Sequence, residues 1–505
     1  MEHWLIPTIL PQSWATGLVI GVFLWQLFNV CDNLFLHPLR KVPGPVLHRV
    51  SRLPVALLNA RGKYAFRAHE LHEQYGPIVR VSPNHLIFTV AQAWKEIYGS
   101  HYQTSSPAPE LPKSDVYADT VDVLPKSISN APREMHQKLR RAMSHAFSAA
   151  SLREHEGIVN GYVSRCMSGL HQACANGDGV VDMISWFTWT TFDIAGDLSL
   201  GQSFDCLTKG EVHPWIEFVL GVFYMNAFMI SLKYIGLNLL VSLIFRVGGM
   251  ISLGSLRKST NDMVRARLNL GYDRNDLFEG LAKNGKELDL SLGEFAANAT
   301  LLILGSSDTT TSALSAVVYL LAKHPEALIK LKAEVGSAFR DVQDITFGST
   351  SQLPYLTAVI SESLRLYPPI TSNLVRQVPA GGAWIASHFV PEGTLVEIVP
   401  WAINHSKDNW AEPWRFKPER FLNGDEKTAG HNNLDAHQPF SYGPRNCIAW
   451  ADIRLIITRL VYEFDFRLED ETRRDWIGDK TYGFVERLPL LIRLRSTVDS
   501  EVIIP

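Results

Sequence analysis

The sequence predicts a mainly α-helical protein with small β-sheets. From about residue 133 to residue 340 the apolar residues recur with helical spacing. One stretch, from Ser291 to about Lys323, is so long and so apolar that we expect it to pass through the middle of the protein. Strand-like runs are short and widely separated. The length of 505 residues alone favours roughly two to four domains, and the core can enclose a sizeable ligand.

Composition and charge exclude several classes of protein. The net charge is −3 and there is no long basic run, so nothing indicates a nucleic-acid partner. The five cysteines are Cys31, Cys166, Cys174, Cys206 and Cys447. Their number is odd, their spacing is irregular and no C-x-x-C occurs, which argues against a disulfide framework or a structural zinc site. This number and spacing of cysteines indicate that the catalytic part of the chain lies in a reducing compartment.

The N-terminal segment is predicted to anchor the chain in a membrane. Residues 14–30 carry no charge and, with the apolar residues 4–6, approach the length of a bilayer span. Arg40 and Lys41 follow the stretch and no basic residue precedes it, which leaves the rest of the chain in the cytosol. A cleaved signal peptide and a buried helix are the alternatives, but a positive n-region and a convincing cleavage site are lacking.

Short elements follow the anchor. HPLRKVPGP, residues 37–45, is expected to form a stiff connector and not a helix, because of its prolines and Gly44. Residues 78–81 and 86–90 are predicted as two strands joined by an SPN turn. Residues 394–399 and 490–495 are predicted as further strands.

The long helix has clear ends and a polar middle. Ser291 and Glu294 form a capping box, and a His-Pro pair at residues 324–325 stops the helix. The polar run GSSDTTTS interrupts the apolar sequence at residues 305–312. Its hydroxyls can bond to the preceding turn, but a buried Asp308 needs a partner or a function. With Thr309 it makes an acid–alcohol pair that could deliver protons into a closed pocket.

Two further stretches carry candidate residues. In LTAVISESLRLYPP, residues 356–369, Glu362 and Arg365 share one helix face among apolar neighbours, and Arg420 of FKPERF could complete a buried structural cluster. A solvated surface pair is the alternative. In PFSYGPRNCIAW, residues 439–450, Cys447 precedes a predicted helix, where a thiolate is stabilised. A single soft ligand does not make a zinc site but suits an axial haem ligand; an inert buried cysteine is the alternative.

These motifs together resemble the cytochrome P-450 family, and the connector and HQKLRRAMSHAFS at residues 136–148 resemble its fungal microsomal members. The matches are F-x-x-G-x-R-x-C-x-G at Phe440, Gly443, Arg445 and Cys447, E-x-x-R at Glu362 and Arg365, P-E-R-F at residues 418–421, and A-G-x-D-T-T at Asp308, Thr309 and Thr310. All four stand in the family's order. The resemblance extends from the anchor to the C-terminus.

The resemblance implies the cytochrome P-450 fold, with haem b between the long central helix (about 291–323) and the helix after Cys447. It divides the chain into an anchor at residues 1–36 (transmembrane about 14–30), a proline-rich connector at 37–46 and a single haem-thiolate catalytic domain at 47–505. It also implies a single-pass protein of the endoplasmic reticulum membrane, with the catalytic domain in the cytosol.

The resemblance also implies a role for each matching residue. Cys447 is the proximal thiolate ligand, within a loop that includes Phe440 and Gly443. The expected partners of the haem propionates are Arg445, Arg140, Arg376 and His136, the last at a position where tryptophan is common. Asp308 and Thr309 deliver protons during oxygen activation. Glu362, Arg365 and Arg420 hold the proximal side together.

Two positions depart from the family pattern. Gly305 and Ser306 stand where alanine and glycine are usual, so the oxygen-binding groove is expected to be rebuilt and not lost. Ala449 replaces the usual glycine after the cysteine, and its methyl group is expected to shift the haem environment slightly.

The activity implied is insertion of one oxygen atom from O2 into an apolar small molecule, by hydroxylation or epoxidation. Fungal secondary metabolism of terpenoids, polyketides or alkaloids is the expected setting. The implied partners are an NADPH–cytochrome reductase, cytochrome b5 as an optional further donor, and membrane lipid. Substrate contacts are expected from residues 116–130, 219–243, 297–305, 370–372 and 482–485. The alternatives are a xenobiotic or aromatic-acid hydroxylase, a haem-thiolate isomerase or dehydratase, and a non-catalytic haem-binding membrane protein.

Overall fold

Helices make up most of the protein. The computed structural model describes residues 12–99, 111–118, 125–271, 274, 276–372, 375–422, 431–442, 448–470 and 477–497. The helices are α1 Gln12–Cys31, α2 Val46–Val50, α3 Leu53–Ala60, α4 Tyr64–Tyr75, α5 Gln92–Tyr98, α6 Asp115–Ala118, α7 Arg133–Met143, α8 Ala149–Asn176, α9 Met183–Leu200, α10 Cys206–Lys209, α11 Pro214–Tyr234, α12 Asn238–Asn269, α13 Glu279–Asn284, α14 Leu292–Lys323, α15 Pro325–Ala338, α16 Phe347–Thr350, α17 Pro354–Leu366, α18 Pro400–Asn404 and α19 Ile448–Glu463.

The strands form four small sheets. They are β1 Ile78–Ser82, β2 His85–Phe88, β3 Val180–Asp182, β4 Arg376–Gln377, β5 Ala383–Ile385, β6 His388–Val390, β7 Leu395–Ile398, β8 Phe464–Leu468, β9 Ile477–Thr481, β10 Val485–Arg487 and β11 Leu491–Ser496. Their orders are β1-β2-β7-β4, β3-β11-β8, β10-β9 and β5-β6. The strands predicted near residues 78, 86, 394 and 490 are confirmed as β1, β2, β7 and β11.

Helix α14 lies at the centre of the fold, as predicted. Ser291 accepts a hydrogen bond from the backbone N–H of Glu294, whose carboxylate accepts from the N–H of Ser291, so both bonds of the capping box are present. The helix ends at Lys323, before the predicted His-Pro stop. Helices α9, α12, α17 and α19 all pack on it. Most of α14 is buried, because an apolar helix of about 48 Å finds cover only inside the core.

The connector differs from the expectation in one part. Pro38–Lys41 forms a short 3-10 helix, although the prolines predicted none. The physical reason is that a proline at the first helical position gives up no hydrogen bond and already has a helical φ. His37 Nδ1 also accepts from the N–H of Leu39 and caps the turn. Residues 42–45, between this turn and α2, are not helical, as predicted for the connector.

Helix α11 is attached to the first sheet by a buried polar network. The Tyr234 hydroxyl, at the end of α11, donates to Ser82 Oγ at 2.7 Å and lies 2.9 Å from His85 Nδ1. His85 Nε2 lies 3.4 Å from the carboxylate of Glu397 on β7, which also accepts from the Tyr64 hydroxyl. All five side chains are buried, so the C-terminal end of α11 has a defined position against the sheet.

Within the described part of the chain, three helices are long and apolar enough to cross a membrane by length and composition alone: residues 16–36, α11 and α14. The three helices differ in how much of their apolar surface is buried in the protein. The helix that begins at Thr16 has none of its apolar window buried, whereas most of the window in α14 is covered by protein. Helix α14 is therefore a core helix, and the N-terminal helix is the segment without a protein cover.

Candidate active site

One turn of α14 is open although the helix around it is buried. Gly305 is exposed and Ser306 and Thr309 are half-buried, while Ile303, Leu304 and residues 310–321 are buried. A Cβ atom added to Gly305 would meet no atom within 4 Å. The helix backbone is therefore uncovered at Gly305, and an uncovered backbone is what close approach of the haem implied by the sequence motifs requires.

Hydroxyl groups in this turn bond back along the helix. Thr309 Oγ1 donates to Gly305 O at 2.8 Å, and Ser306 Oγ donates to Leu302 O at 2.7 Å. Such bonds compete with the helical ladder and loosen it locally. The polar run predicted at residues 305–312 therefore produces an open face with hydroxyls at its edge.

Asp308 has a cationic partner. Arg487, in β10, donates through Nη2 to Asp308 Oδ1 at 2.5 Å and through Nη1 to the Asp308 carbonyl at 3.0 Å. Both side chains are almost completely buried. The buried carboxylate is therefore compensated by a charge-assisted bond, which also joins β10 to the middle of α14. The sequence analysis missed Arg487, and an isolated arginine 179 residues away offered no local signal.

Two of the segments predicted to contact substrate lie side by side. The N–H of Thr371 donates to Gly483 O at 3.1 Å, and Ile370 pairs with Phe484 in an isolated bridge. The second segment leads directly into β10, whose Arg487 bonds to Asp308 of α14. Ile370 is exposed and apolar, as a substrate-facing side chain should be.

A third predicted segment contacts the N-terminal half of α14. The N–H of Ile128 donates to Asn298 Oδ1 at 2.9 Å, which positions the loop before α7 against the helix. Lys113 Nζ donates to the carbonyls of Ile128 and Ser129, and Lys113 also pairs with Arg376 of β4 in a bridge. Residues 119–124 of this predicted segment lie outside the described residues.

Three of the four candidate propionate partners, His136, Arg140 and Arg376, lie in the described part of the chain, on two elements. His136 is half-buried and Arg140 is exposed on α7, a helix that also carries the basic residues Arg133, Lys138 and Arg141. Arg376 is half-buried in β4, with its guanidinium 5.8 Å from the centre of the Tyr98 ring. These side chains belong to the elements that join the loop at residues 127–130, so the fold gathers basic groups around that loop.

Glu362, Arg365 and Arg420 form one buried cluster. Arg365 donates to Glu362 through Nε (2.7 Å) and Nη2 (2.9 Å), and Arg420 Nε donates to the same carboxylate at 3.0 Å. Further donors and acceptors complete the cluster: the N–H of Lys417 donates to Glu362, and Arg365 Nη1 donates to the carbonyls of Asn404 and Pro413. All three charged side chains are fully buried. The cluster joins α17 to the loops before residue 440.

The predicted ligand loop is described in part. Phe440 is half-buried and packs on Trp450, with ring centroids 5.8 Å apart, at the start of α19. Gly443, Arg445 and Cys447 lie outside the described residues. Ala449 is buried in the core beside Ile448, so its methyl group is accommodated in the first turn of α19.

The described cysteines are poorly suited to be thiolate ligands. Burial raises the pKa of Cys166 and of Cys206 to about 11, and it also raises the pKa of Cys174. Cys31 lies at the end of α1, far from the candidate site in the chain. No cluster of three or more His, Cys, Asp or Glu side chains that could hold a metal ion occurs among the described residues.

We predict that Arg420→Ala lowers the free energy of unfolding by about 3–5 kcal/mol, because it leaves a buried carboxylate short of a partner. Arg415→Ala is the matched control. Arg415 pairs with Glu412 at the surface, with 67% of its side chain exposed, so its loss is expected to cost less than about 1 kcal/mol. Denaturant unfolding measures both variants. Equal losses would contradict a structural role for the buried cluster.

Comparison with known proteins identifies the family. The sequence model of the cytochrome P-450 family matches residues 51–489. The chain is 39% identical to the cytochrome P-450 monooxygenase tpeC of Talaromyces stipitatus, covering 96% of this chain and 94% of the relative. It is 36% identical to the trichothecene C-15 hydroxylase of Fusarium sporotrichioides (96% and 98%) and 33% identical to the averantin hydroxylase of Dothistroma septosporum (95% and 92%). The chain therefore belongs to the cytochrome P-450 family of haem-thiolate monooxygenases.

Proposed function

We propose that this protein hydroxylates or epoxidises an apolar small molecule of fungal secondary metabolism, with haem b held by Cys447 and facing the open turn of α14. The observation that carries the proposal is this turn, which exposes Gly305 and Thr309 in the middle of a buried helix. Haem, when bound, supplies oxygen binding and its reductive activation. The residues of the chain bind and orient the substrate, exclude water and deliver protons.

The assignment of Cys447 rests on position and on elimination. A metal-bound sulfur must be a thiolate, and burial disfavours the thiolate of Cys166, Cys174 and Cys206. Cys447 immediately precedes α19, where the first N–H groups of the helix favour a negative charge. In the proposed site Arg445, Arg140, Arg376 and His136 bind the propionates, and Phe440 and Gly443 shape the loop. Glu362, Arg365 and Arg420 hold the segment before the loop in place.

We predict that reduced, CO-treated wild-type protein shows the red-shifted Soret band of thiolate-ligated haem, and that Cys447→Ser abolishes this band. Loss of the thiolate removes its electron donation to the iron. Cys174→Ser, at a half-buried position near the end of α8, is the control and should keep the band. If Cys447→Ser kept the band, the ligand assignment would be wrong.

Asp308 and Thr309 are proposed to deliver protons. The Thr309 hydroxyl lies at the edge of the open turn, where it donates to Gly305 O. Asp308 is held on the same turn by Arg487. A hydroxyl beside the reacting atoms can turn from the backbone carbonyl and donate there, and the neighbouring carboxylate can replace its proton.

Thr309→Ala should reduce product formation per NADPH consumed by about a hundredfold, with reducing equivalents diverted to hydrogen peroxide, because a general acid is lost. The assay uses membranes with an NADPH–cytochrome reductase and a substrate identified by its spin shift in a panel of fungal metabolites. Ser315→Ala is the control, because Ser315 makes the same 2.8 Å bond to a backbone carbonyl of α14 at a buried position. Unchanged turnover in Thr309→Ala would favour an isomerase or dehydratase that needs no oxygen.

The substrate is proposed to be apolar. The two relatives named as hydroxylases of trichothecene and averantin act on compounds of fungal secondary metabolism, and this chain is similar to both over nearly its whole length. The paired segments 370–372 and 482–485, which are proposed to contact the substrate, present an exposed isoleucine, Ile370. Apolar lining with few fixed polar groups suits such a ligand.

We propose that two parts of the chain contact the membrane: the N-terminal helix and an exposed apolar surface on the elements near it. Residues 14–30 form the single span of the endoplasmic reticulum anchor, residues 37–46 the connector, and residues 47–505 the cytosolic catalytic domain. Apolar side chains are exposed on elements that pack together near the anchor: Phe35, Leu36, Val46, Leu47, Leu53, Leu57, Leu237, Leu239, Leu240 and Leu243. So large an apolar surface on neighbouring elements favours contact with lipid. Electrons come from an NADPH–cytochrome reductase, with cytochrome b5 as a second donor.

The full chain should pellet with microsomes and resist alkaline carbonate extraction, whereas a chain lacking residues 1–36 should be extracted but still bind phospholipid vesicles. Leu239→Ser in the shortened chain should weaken vesicle binding severalfold, since Leu239 is 89% exposed. Ile329→Ser, at an equally apolar and 67% exposed position on α15, is the control. Recovery of the full chain in the soluble fraction would contradict the anchor.

A further inference from the structure

The N-terminal helix ends in a turn that lacks some of its own hydrogen-bond donors. Helix α1 continues into a π-helical turn, Asp32–Leu36, which the N–H of His37 closes by donating to Asp32 O at 2.8 Å. In this i→i+5 pattern the donor to Asn33 O would be residue 38, which is a proline without an N–H. The last carbonyls of the helix therefore need donors from elsewhere in the chain.

Three arginines that follow in the chain supply donors to these carbonyls. The bonds run from Arg80 Nη1 to Asn33 O at 2.8 Å, and from Arg49 Nη2 to Leu34 O and Arg40 Nη1 to Leu36 O, both at 3.4 Å. A cation is favoured at the C-terminal end of a helix, where the carbonyl dipoles point outward. The end of the N-terminal helix is thus bound by three guanidinium groups, of which Arg80 makes the shortest bond.

Arg80 is the most buried of the three arginines. It lies in β1, fully buried, and also donates to Pro83 O through Nε at 3.0 Å and through Nη2 at 2.7 Å. No carboxylate forms an ion pair with it in the described part of the chain. Burial lowers its pKa to about 10, so it is still protonated at neutral pH. A buried charge without a counter-ion depends on its hydrogen bonds, so its contact with the helix end is costly to break.

The connector packs directly over Arg80. The N–H of Arg80 donates to Pro43 O at 2.8 Å, and a Cβ atom added to Gly44 would lie only 2.2 Å from Arg80 O. Only glycine permits so close an approach of two backbones. The connector is therefore held against β1, which leaves the N-terminal helix little freedom to move relative to the first sheet.

The turn between β1 and β2 also holds the end of α11. Pro83 of this turn accepts from Arg80, and its neighbour Asn84 accepts through Oδ1 from Arg52 Nη2 at 2.9 Å. Arg52 Nη1 donates to Tyr234 O at 3.3 Å, and the Tyr234 hydroxyl bonds to Ser82 at the other end of the turn. The end of the N-terminal helix and the end of α11 are thus bound to one short turn. The exposed leucines that follow, at residues 237–243, therefore have a defined position relative to the anchor.

We propose that Arg80, with Arg49 and Arg40, makes the anchor and the catalytic domain one rigid body, which holds the leucines at the junction of α11 and α12 against the lipid. Arg80 is the positioning residue of this joint. The proposal rests on the proposed membrane attachment, and it adds that the chain itself fixes the orientation of the domain.

A fixed orientation favours contact with the bilayer. A domain that turned freely on its anchor would lose orientational freedom each time its apolar surface met lipid, whereas a domain already held in place would not. The leucines carry no charge, so the partner is the apolar part of a bilayer, and neutral phospholipid is sufficient.

The first test measures the distance between the anchor and the domain by dipolar electron paramagnetic resonance. The full chain is placed in phosphatidylcholine nanodiscs in a Cys174→Ser background. Spin labels are attached to Cys31, which is exposed at the end of α1, and to Gln74→Cys, at an exposed position of α4. Cys166 and Cys206 are buried and are not labelled, and the remaining cysteine is the proposed haem ligand.

We expect one narrow distance distribution in the chain with Arg80. In Arg80→Gln the distribution should be at least about twice as wide, because the buried charge and its bonds to the helix end are lost. Arg67→Gln is the control and should keep the narrow distribution, since Arg67 forms only a surface ion pair on α4. A wide distribution in the chain with Arg80, or no widening in Arg80→Gln, overturns the proposal.

Gly44→Ala tests the joint without removing the buried charge. The added methyl group must push the connector away from β1, so this variant should also widen the distribution. Gly336→Ala is its control, because a Cβ atom added to Gly336 on α15 meets no atom within 4 Å. The thiolate CO band shows that each variant is folded. A Gly44→Ala protein that keeps this band and the narrow distribution contradicts the rigid joint.

A second readout reports the orientation of the domain itself. Polarised absorption of the haem in oriented phosphatidylcholine bilayers should give one tilt angle in the unaltered chain, and in Arg80→Gln the dichroism should fall by at least about half, because the domain turns on its anchor. Unchanged dichroism in Arg80→Gln overturns the proposal.

Failure of the joint and failure of the membrane attachment give different results. If the chain lacked an anchor, it would be recovered in the soluble fraction and would not enter nanodiscs. If only the joint were wrong, the chain would enter nanodiscs and keep the CO band, but neither the label distances nor the dichroism would respond to Arg80→Gln.

Discussion

The structure depends on the burial of one 32-residue helix, α14, whose middle is polar. An apolar helix of this length is stable only when other helices cover it, and α9, α12, α17 and α19 do so. Three of its buried hydroxyls, those of Ser307, Ser312 and Ser315, donate to carbonyls of the preceding turn. A buried hydroxyl without a hydrogen bond would lower the free energy of unfolding by about 1–3 kcal/mol. These bonds therefore reduce the cost of burying polar residues in the middle of the helix.

One buried ion pair is formed by a residue of this helix and another lies on α17, which packs on it, and the surroundings of the two pairs differ. Glu362 has two arginines and a backbone N–H, and the arginines have further backbone acceptors. Because these charged side chains have so many hydrogen-bond partners, they have little conformational freedom, which suits a structural role. Asp308 has one cationic partner, Arg487, and stands next to the half-buried Thr309 of the open turn. The same type of ion pair therefore has a structural position in one place and lies in the proposed site for proton delivery in the other.

The junction of α11 and α12 combines a fixed helix end with an apolar surface. Helix α11 is fixed at its C-terminal end through Tyr234, while the following α12 begins with exposed leucines. The buried polar network therefore holds this apolar surface in a defined position against the first sheet.

Much of this could be predicted from local sequence. The capping box at Ser291 and the His-Pro stop set the ends of α14, and the i, i+3 spacing placed Glu362 and Arg365 on one face, because these signals act within a few residues. The family motifs identified the protein class. The 3-10 turn at Pro38 was missed, since proline both breaks helices and begins them.

The tertiary structure alone decided the remaining contacts. Arg487 reaches Asp308 across 179 residues, and Asp452 shares a cavity with Ser306 from a helix about 150 residues away in the chain. No local pattern encodes such pairs, because each partner looks ordinary in its own segment. The sequence determined which helix is central and has a polar middle, and only the packing of α9, α14 and α19 decided which side chains lie beside it.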